Sequence, residues 1–226
     1  NVARNLDLSN FEDYEIFAEL KGEIKKFQRT ILIGCAPCQG FSSLTKGNTN
    51  KDERNNLLLK FSEIISFINP DIFIVENVPD LFSHRHRHVF KQFEAEAIAH
   101  GYKINSRIVN MADYGVPQQR YRSVIIGHLD KILSFPKKLY KPGYFKTVRN
   151  AIERLPKLDA GEVCNDDPMH QTSKHRSNTV QIFKSVPIDG GSRPPGVGPA
   201  CLDRVKGYYD VYGRLFWDKP AVTITA

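Results

Sequence analysis

Cysteine is scarce in this sequence. Cys35, Cys38, Cys164 and Cys201 are spread over 226 residues, too few and too scattered for a disulfide framework. Cys35-x-x-Cys38 has the spacing of a zinc or redox half-site, but no second Cys/His pair with ligand spacing follows it, so no metal is expected. Long hydrophobic runs are missing as well. No apolar stretch approaches the roughly 20 residues that cross a bilayer, and no charged-then-apolar leader stands in these residues, so a cytoplasmic location is the expectation. With 41% hydrophobic and 25% charged residues, the composition is that of a globular protein instead of a disordered one. A net charge of +7 favours a polyanionic partner.

The stretch Thr30-Ile31-Leu32-Ile33-Gly34-Cys35-Ala36-Pro37-Cys38-Gln39-Gly40-Phe41-Ser42 reads as a buried strand running into a tight loop. Its apolar β-branched run is stopped by Gly34 and then Pro37, which cannot extend a strand ladder. Cys38 sits beside the amide of Gln39 and ahead of a Gly-Phe-Ser turn, polar surroundings that suit a nucleophile. The commoner fate of a free cysteine is a small buried apolar residue. Asp71-Ile72-Phe73-Ile74-Val75-Glu76-Asn77-Val78-Pro79 repeats the layout, an apolar strand ending in a carboxylate, an amide and a proline. In open α/β sheets ligands bind at the carboxyl ends of the strands, so Cys38 and Glu76 are expected to converge on one pocket. Residues 114–127 then set Arg120 and Arg122 at the start of a third apolar strand, where i and i+2 side chains share a face.

In that order, Pro37-Cys38-Gln39, Glu76-Asn77-Val78 and Gln118-x-Arg120-x-Arg122 resemble the motifs of the DNA (cytosine-5)-methyltransferases of bacterial restriction-modification systems. Asp52-x-Arg54-Asn55-x-Leu57 and Pro220-Ala221-Val222-Thr223-Ile224-Thr225 extend the likeness over residues 30–226. The resemblance implies an α/β fold, a Rossmann-like S-adenosylmethionine-dependent methyltransferase sheet with a smaller irregular target-recognition domain. It also implies transfer of a methyl group from S-adenosylmethionine to carbon 5 of a flipped-out cytosine in duplex DNA, through a covalent cysteine adduct. Catalytic roles pass to Cys38, Glu76, Arg120 and Arg122, cofactor contacts to Pro37 and Leu57, and DNA contacts to Gln39, Ser42 and Thr223. Two other readings are a tRNA cytosine-5 methyltransferase and a non-catalytic DNA-binding remnant. Gly40-Phe41-Ser42 and the long Gly/Pro-rich second region favour the DNA enzyme.

Family members open with a Phe-x-Gly-x-Gly-Gly loop that cradles S-adenosylmethionine and close with an Arg- and Leu-Pro-containing segment and a helix carrying an Asn. Neither stands in these residues, so the resemblance implies the middle of an enzyme, its sheet apparently lacking the first strands. Such a sheet would leave an apolar strand edge open. The chain is therefore expected to be unstable as an isolated monomer, or to have a complementing N-terminal segment or subunit.

Strands and helices alternate as far as residue 128, which argues for a parallel sheet. A helix within residues 9–27 is expected to cover that sheet, the polar residues 42–56 to form a mobile surface loop, which the resemblance makes a lid and which taken alone is an ordinary solvated loop, and Ser83-His84-Arg85-His86-Arg87-His88 to be a basic surface turn. Prolines and glycines crowd the chain beyond Ser134. We place the boundary there, with a partial catalytic domain at 1–134 and a target-recognition region at 135–226. The second part interleaves His170, Lys174, His175, Arg176, Arg193, Arg204 and Lys206 with Tyr208, Tyr209, Tyr212 and Trp217, a mixture suited to groove and backbone contact with nucleic acid.

Overall fold

The computed structural model describes residues 15–35, 57–204 and 212–224. Pro37, Cys38, Gln39 and Ser42, and with them the lid expected at 42–56, lie outside the described residues. The chain divides into two compact units, residues 1–110 with 121–137 and residues 111–120 with 138–226.

The first unit is built on a four-stranded sheet of order β1-β2-β4-β3, with β1 at Ile31–Gly34, β2 at Ile72–Asn77, β3 at Lys103–Asn110 and β4 at Tyr121–His128. Helix α2 (Leu57–Ile68) connects β1 to β2, which run parallel, and α3 (Arg87–Ala99) leads from β2 towards β3. The expected parallel sheet needs one correction. β4 runs antiparallel to both β2 and β3, because β3 and β4 are joined without a crossover helix and a hairpin-type connection reverses the chain. The start of β4 therefore lies at the edge where β1, β2 and β3 end.

Period-two alternation sorts the side chains between the two faces of the sheet. Phe73, Val75 and Asn77 of β2 are buried and stand in register with Gly127, Ile125 and Ser123 of β4. Leu58 and Ile65 of α2 and Phe90, Phe93 and Ala97 of α3 pack with this face. Phe73 meets Phe93 and Tyr102 edge-on, at centroid distances of 5.8 and 5.0 Å. The Tyr102 hydroxyl donates to Pro70 O at 2.6 Å, and burial pushes its pKa up. Below the strands, Thr30 donates from its N–H and its hydroxyl to Asp71 at 2.6 and 2.8 Å, which holds that carboxyl below its ordinary range. β1 is an edge of the described sheet, with Ile31 and Ile33 59% and 67% exposed on the opposite face.

Helix α1 (Glu15–Ile24) packs with α2 and with Leu32 of β1. Phe17 and Ile24 join a small cluster with Ile64 and Ile68 of α2, and no residue of α1 is buried. The histidine run is exposed at His84, Arg85, Arg87 and His88, as expected, and differs at one position. His86 is only 3% exposed, caps the start of α3 and lies 3.3 Å from Asp80 Oδ2, so it belongs to the folded interior instead of a surface turn. Among the described residues no cluster of three His, Cys, Asp or Glu could hold a metal ion, and no helix is long and apolar enough to cross a membrane.

In the second unit regular structure is sparse. Short helices α4 (Val148–Ile152), α5 (Ser177–Ser185) and α6 (Cys201–Arg204) are tied together by isolated bridges and side-chain clamps. Thr147 and Asn150 form a capping box at the start of α4. Arg149 grips Asp218 with Nε at 2.6 Å and Nη2 at 3.0 Å, and its Nη1 reaches Glu153 at 3.1 Å. These bonds push the guanidinium pKa up and the Asp218 carboxyl down. Backbone bonds between Val148 and Lys219 and between Arg149 and Trp217 fasten the same two segments.

Two predictions follow from the first unit. A Cβ added at Gly127 would lie 2.2 Å from the ring of Phe73, which is fully buried and has nowhere to turn. Gly127→Ala should cost about 1–3 kcal/mol in denaturant unfolding, and an unchanged midpoint would refute this packing. The second concerns acid. Burial depresses the His86 pKa from 6.5, with Arg85 and His88 adding to the effect and Asp80 opposing it. The unfolded chain thus takes up this proton first, and His86 costs stability as pH falls below 6.5, until the folded pKa is passed. The melting temperature should fall less steeply between pH 7.5 and pH 5 in His86→Gln than in wild type, roughly the interval spanning an unperturbed histidine pKa; parallel slopes would refute it.

Candidate active site

The reversal of β4 decides which polar groups meet. β1 and β2 end at the same edge of the sheet, and β4 begins there. Glu76 stands opposite Val124, and Arg122, two residues earlier on β4, is its diagonal neighbour on the same face. Arg122 Nε lies 2.7 Å from Glu76 Oε1, with the guanidinium 14% and the carboxylate 34% exposed. Nη1 donates to the Tyr121 carbonyl at 2.7 Å, which fixes the plane of the fork. The sheet continues the set on its other side. Gly34 is in register with Val75, so Cys35, the next residue, falls beside Glu76.

Two buried neighbours hold the carboxylate's strand end in place. Asn77 is 2% exposed, and its Oδ1 accepts the N–H of Val78 at 2.8 Å. Ser123 is fully buried and its hydroxyl donates to the Val78 carbonyl at 2.9 Å. Pro79 then opens a 3-10 turn, Pro79–Phe82, whose Leu81 is fully buried. Glu76 thus projects from a strand end that the following turn secures. Chemically the pair sets carboxylate acceptors beside guanidinium donors at the rim of the sheet, a complement to any ring edge that alternates donor and acceptor.

Cys35 is exposed, yet desolvation and then the negative charge of Glu76 push its thiol pKa up. A thiol so placed is a poor nucleophile, since the thiolate is the reactive form. Of the residues expected at the site, Glu76 and Arg122 come together. Leu57 is the half-buried first residue of α2. Pro37, Cys38, Gln39 and Ser42 lie outside the described residues. Arg120 corrects the expectation of two arginines on one strand face. It precedes β4 and falls in the second unit, where its carbonyl accepts the Met111 N–H at 3.0 Å. Among the described residues its guanidinium has no partner. Thr223, also in the second unit, donates to the Gln119 carbonyl at 3.2 Å and lines a cavity of about 850 Å³ with Phe145, Arg214 and Phe216. Sequence reasoning weighed Cys35 only as half of a metal or redox pair and passed over Ser123, for which a serine in the middle of an apolar strand was the available signal.

Residues 3–199 match the model of the C-5 cytosine-specific DNA methylases. The chain belongs to that family. It is 36% identical over 213 residues to the Type II methylase M.HgiDII of Herpetosiphon aurantiacus, covering 92% of this chain and 59% of the relative. It is 32% identical over 232 residues to the Type II methyltransferase M1.HphI of Haemophilus parahaemolyticus, covering 96% of this chain and 60% of the relative. The chain thus spans about three fifths of the length of these curated relatives. Among solved structures it resembles an E. coli prophage protein described as a DNA modification methyltransferase, with 25% identity and a TM-score of 0.53, covering 88% of this chain and 54% of that one. The mixed sheet fits the Rossmann-like methyltransferase fold of the C-5 cytosine-specific methylases.

The electrostatic link between Glu76 and Cys35 can be read directly. Removing the negative charge with Glu76→Gln should lower the Cys35 pKa and speed its alkylation by iodoacetamide at pH 8 several-fold, roughly in proportion to the thiolate gained. Peptide-resolved mass spectrometry separates Cys35 from the other thiols. A rate that stays the same or falls would show that the two groups do not interact.

Proposed function

We propose that the protein methylates carbon 5 of cytosine in DNA, with Cys38 as nucleophile and the Glu76–Arg122 pair gripping the base. The observation that carries this reading is the pair itself, a carboxylate and a guanidinium 2.7 Å apart at the carboxyl edge of a methyltransferase sheet. Cytosine offers along one edge an exocyclic amine, a ring nitrogen and a carbonyl oxygen. Glu76 accepts from the amine and hydrogen-bonds or protonates the ring nitrogen, and Arg122 donates to the oxygen.

That grip does chemical work because carbon 5 is a weak nucleophile. The Cys38 thiolate adds to carbon 6, forming a C–S bond, and the electron density displaced onto the ring is stabilised at the nitrogen by Glu76. Carbon 5 becomes the reacting centre. S-adenosylmethionine, when bound, supplies the electrophilic methyl group. Loss of the carbon-5 proton afterwards breaks the C–S bond and frees Cys38. Leu57 offers a half-buried apolar surface suited to an adenosyl or thioether contact, with Pro37 as its companion in this reading. None of this can occur inside a stacked duplex, so the cytosine is turned out of the helix, and Gln39, Ser42 and Thr223 hold the strand around it. Arg120 stands behind Arg122 in the same reading, as a reserve cation for the base or its phosphate.

The experiment is a trap. The full-length protein is incubated with S-adenosylmethionine and duplex DNA carrying 5-fluorocytosine, whose fluorine cannot leave as a proton does. A denaturation-resistant adduct is expected for wild type and for Cys35→Ser, and none for Cys38→Ser. Glu76→Gln should lower methyl transfer roughly 10²- to 10⁴-fold, the usual worth of a positioned acid–base group. An adduct formed on tRNA but on no DNA would replace this reading with the tRNA enzyme, and DNA binding without any adduct would make the chain a non-catalytic binder.

A further inference from the structure

Helix α5 (Ser177–Ser185) presents a face that the proposed chemistry leaves unused. Its inner side is packed: Ile182 is 9% exposed, Val186 just beyond the helix 2%, and Phe183 meets the rings of His175 and Tyr212 at 5.0 and 5.7 Å. The outer side carries Ser177, Asn178, Gln181 and Lys184, all exposed. At 3.6 residues per turn these four fall within one stripe about 120° wide. Within the stripe the one side-chain bond among the described residues is a long one, from Ser177 Oγ to Asn178 Oδ1 at 3.4 Å.

Along the chain, charge at the helix has one sign. From His170 to Ile188 the sequence contains no Asp or Glu, while Lys174, His175 and Arg176 lead into the helix and Lys184 closes it. Lys174, Arg176 and Lys184 are exposed and form no ion pair among the described residues. Two arginines of the second unit are committed elsewhere, while Lys146, Arg154, Lys157 and Arg204 are exposed away from the helix along the chain. Arg193 is 7% exposed and bound to Asp203 at 2.8 Å and to the Val197 carbonyl at 2.6 Å, and Arg149 is held by Asp218 and Glu153. Lys174, Arg176 and Lys184 thus flank the one described helix of the unit whose exposed face carries uncommitted amide side chains, since Asn150 of α4 is held in its capping box. Asn and Gln are the side chains that pair bidentately with an adenine edge in the major groove, and Lys serves either guanine or phosphate. A helix of nine residues, about 13 Å long, suits a groove about 12 Å wide.

We infer that α5 is the sequence-reading helix of this protein, with Asn178 and Gln181 contacting base edges in the major groove and Lys174, Arg176 and Lys184 seated on the flanking phosphates. This rests on the proposed DNA methylation, and it adds which residues choose the site. Phosphate contacts orient the helix without carrying sequence information, so the two classes of residue have different signatures.

The test uses the full-length protein, S-adenosylmethionine and a plasmid library of randomised duplex sites, read by bisulfite sequencing. Wild-type methylation at a defined sequence establishes the underlying reading independently. Gln181→Ala and Asn178→Ala should each relax the preference at one or two base pairs by about 10- to 100-fold while leaving the melting temperature unchanged. Lys184→Ala should keep the site preference, weaken binding to all DNA and reduce the slope of log affinity against log salt by roughly 0.9. A double variant, Asn178→Ala with Gln181→Ala, that retains the wild-type site preference would overturn the inference and leave the methylation reading intact. Variants that alter methylation of tRNA and not of DNA would overturn it as well.

Discussion

The direction of β4 is the constraint on which the first unit depends. Had β4 followed a crossover helix, it would have run parallel to β2 and its first residues would have emerged at the opposite edge of the sheet. Because it returns through residues 111–120 instead, Arg122 enters at the edge where β2 delivers Glu76. The register completes the placement. Phe73 against Gly127 and Val75 against Ile125 are buried pairs, and a slip by one residue would turn Phe73 out of the core. The same register that buries the apolar face sets Glu76 and Arg122 diagonally on the other. Packing on one side of the sheet therefore fixes chemistry on the other.

Much of this was legible along the chain. The apolar runs ending at Gly34 and Asn77, the helix opening at Leu57 and stopped before Pro70, and the strand beginning near Arg122 are local patterns, and local patterns survive folding. The reversal of β4 was not. Two strands with a ten-residue excursion between them look alike in sequence whether the second returns parallel or antiparallel, and the difference lies in which neighbour offers a ladder. Arg120 was misread for a related reason: its spacing from Arg122 suggests a shared strand face, but the strand begins one residue after it. His86 was hidden by its company, since four charged or polar neighbours gave no hint that one ring of the run is buried against Asp80.

Composition also overcounted the cations of the second unit. His170 holds the Pro156 carbonyl with Nε2 at 2.8 Å, Arg193 is buried, and Trp217 lies under Arg149 with the ring centroid 5.6 Å from the guanidinium carbon. A unit so poor in sheet and helix needs such clamps, because its backbone groups have few ladders to join and its glycine turns leave little apolar surface to bury. Gly190 illustrates the cost. Its φ of +84° and the Phe216 ring, 2.4 Å from where a Cβ would stand, leave room for no other residue. The charges left over after this accounting are those free to meet a polyanion.

Energetics separates the Glu76–Arg122 pair from those clamps. A carboxylate that is one-third exposed is well solvated, and ion pairs of this kind contribute about 0–1 kcal/mol to folding. The buried partners beneath it, Asn77 and Ser123, carry the stability of that turn, because leaving either carbonyl or amide unsatisfied there would cost about 1–3 kcal/mol. The pair at the rim can thus open or re-aim with little loss to the fold, while the strand ends that present it stay fixed. A ligand edge that offers an amine to Glu76 and an oxygen to Arg122 replaces a weak bond between them with two bonds of its own, and the sheet does not have to move to make the exchange.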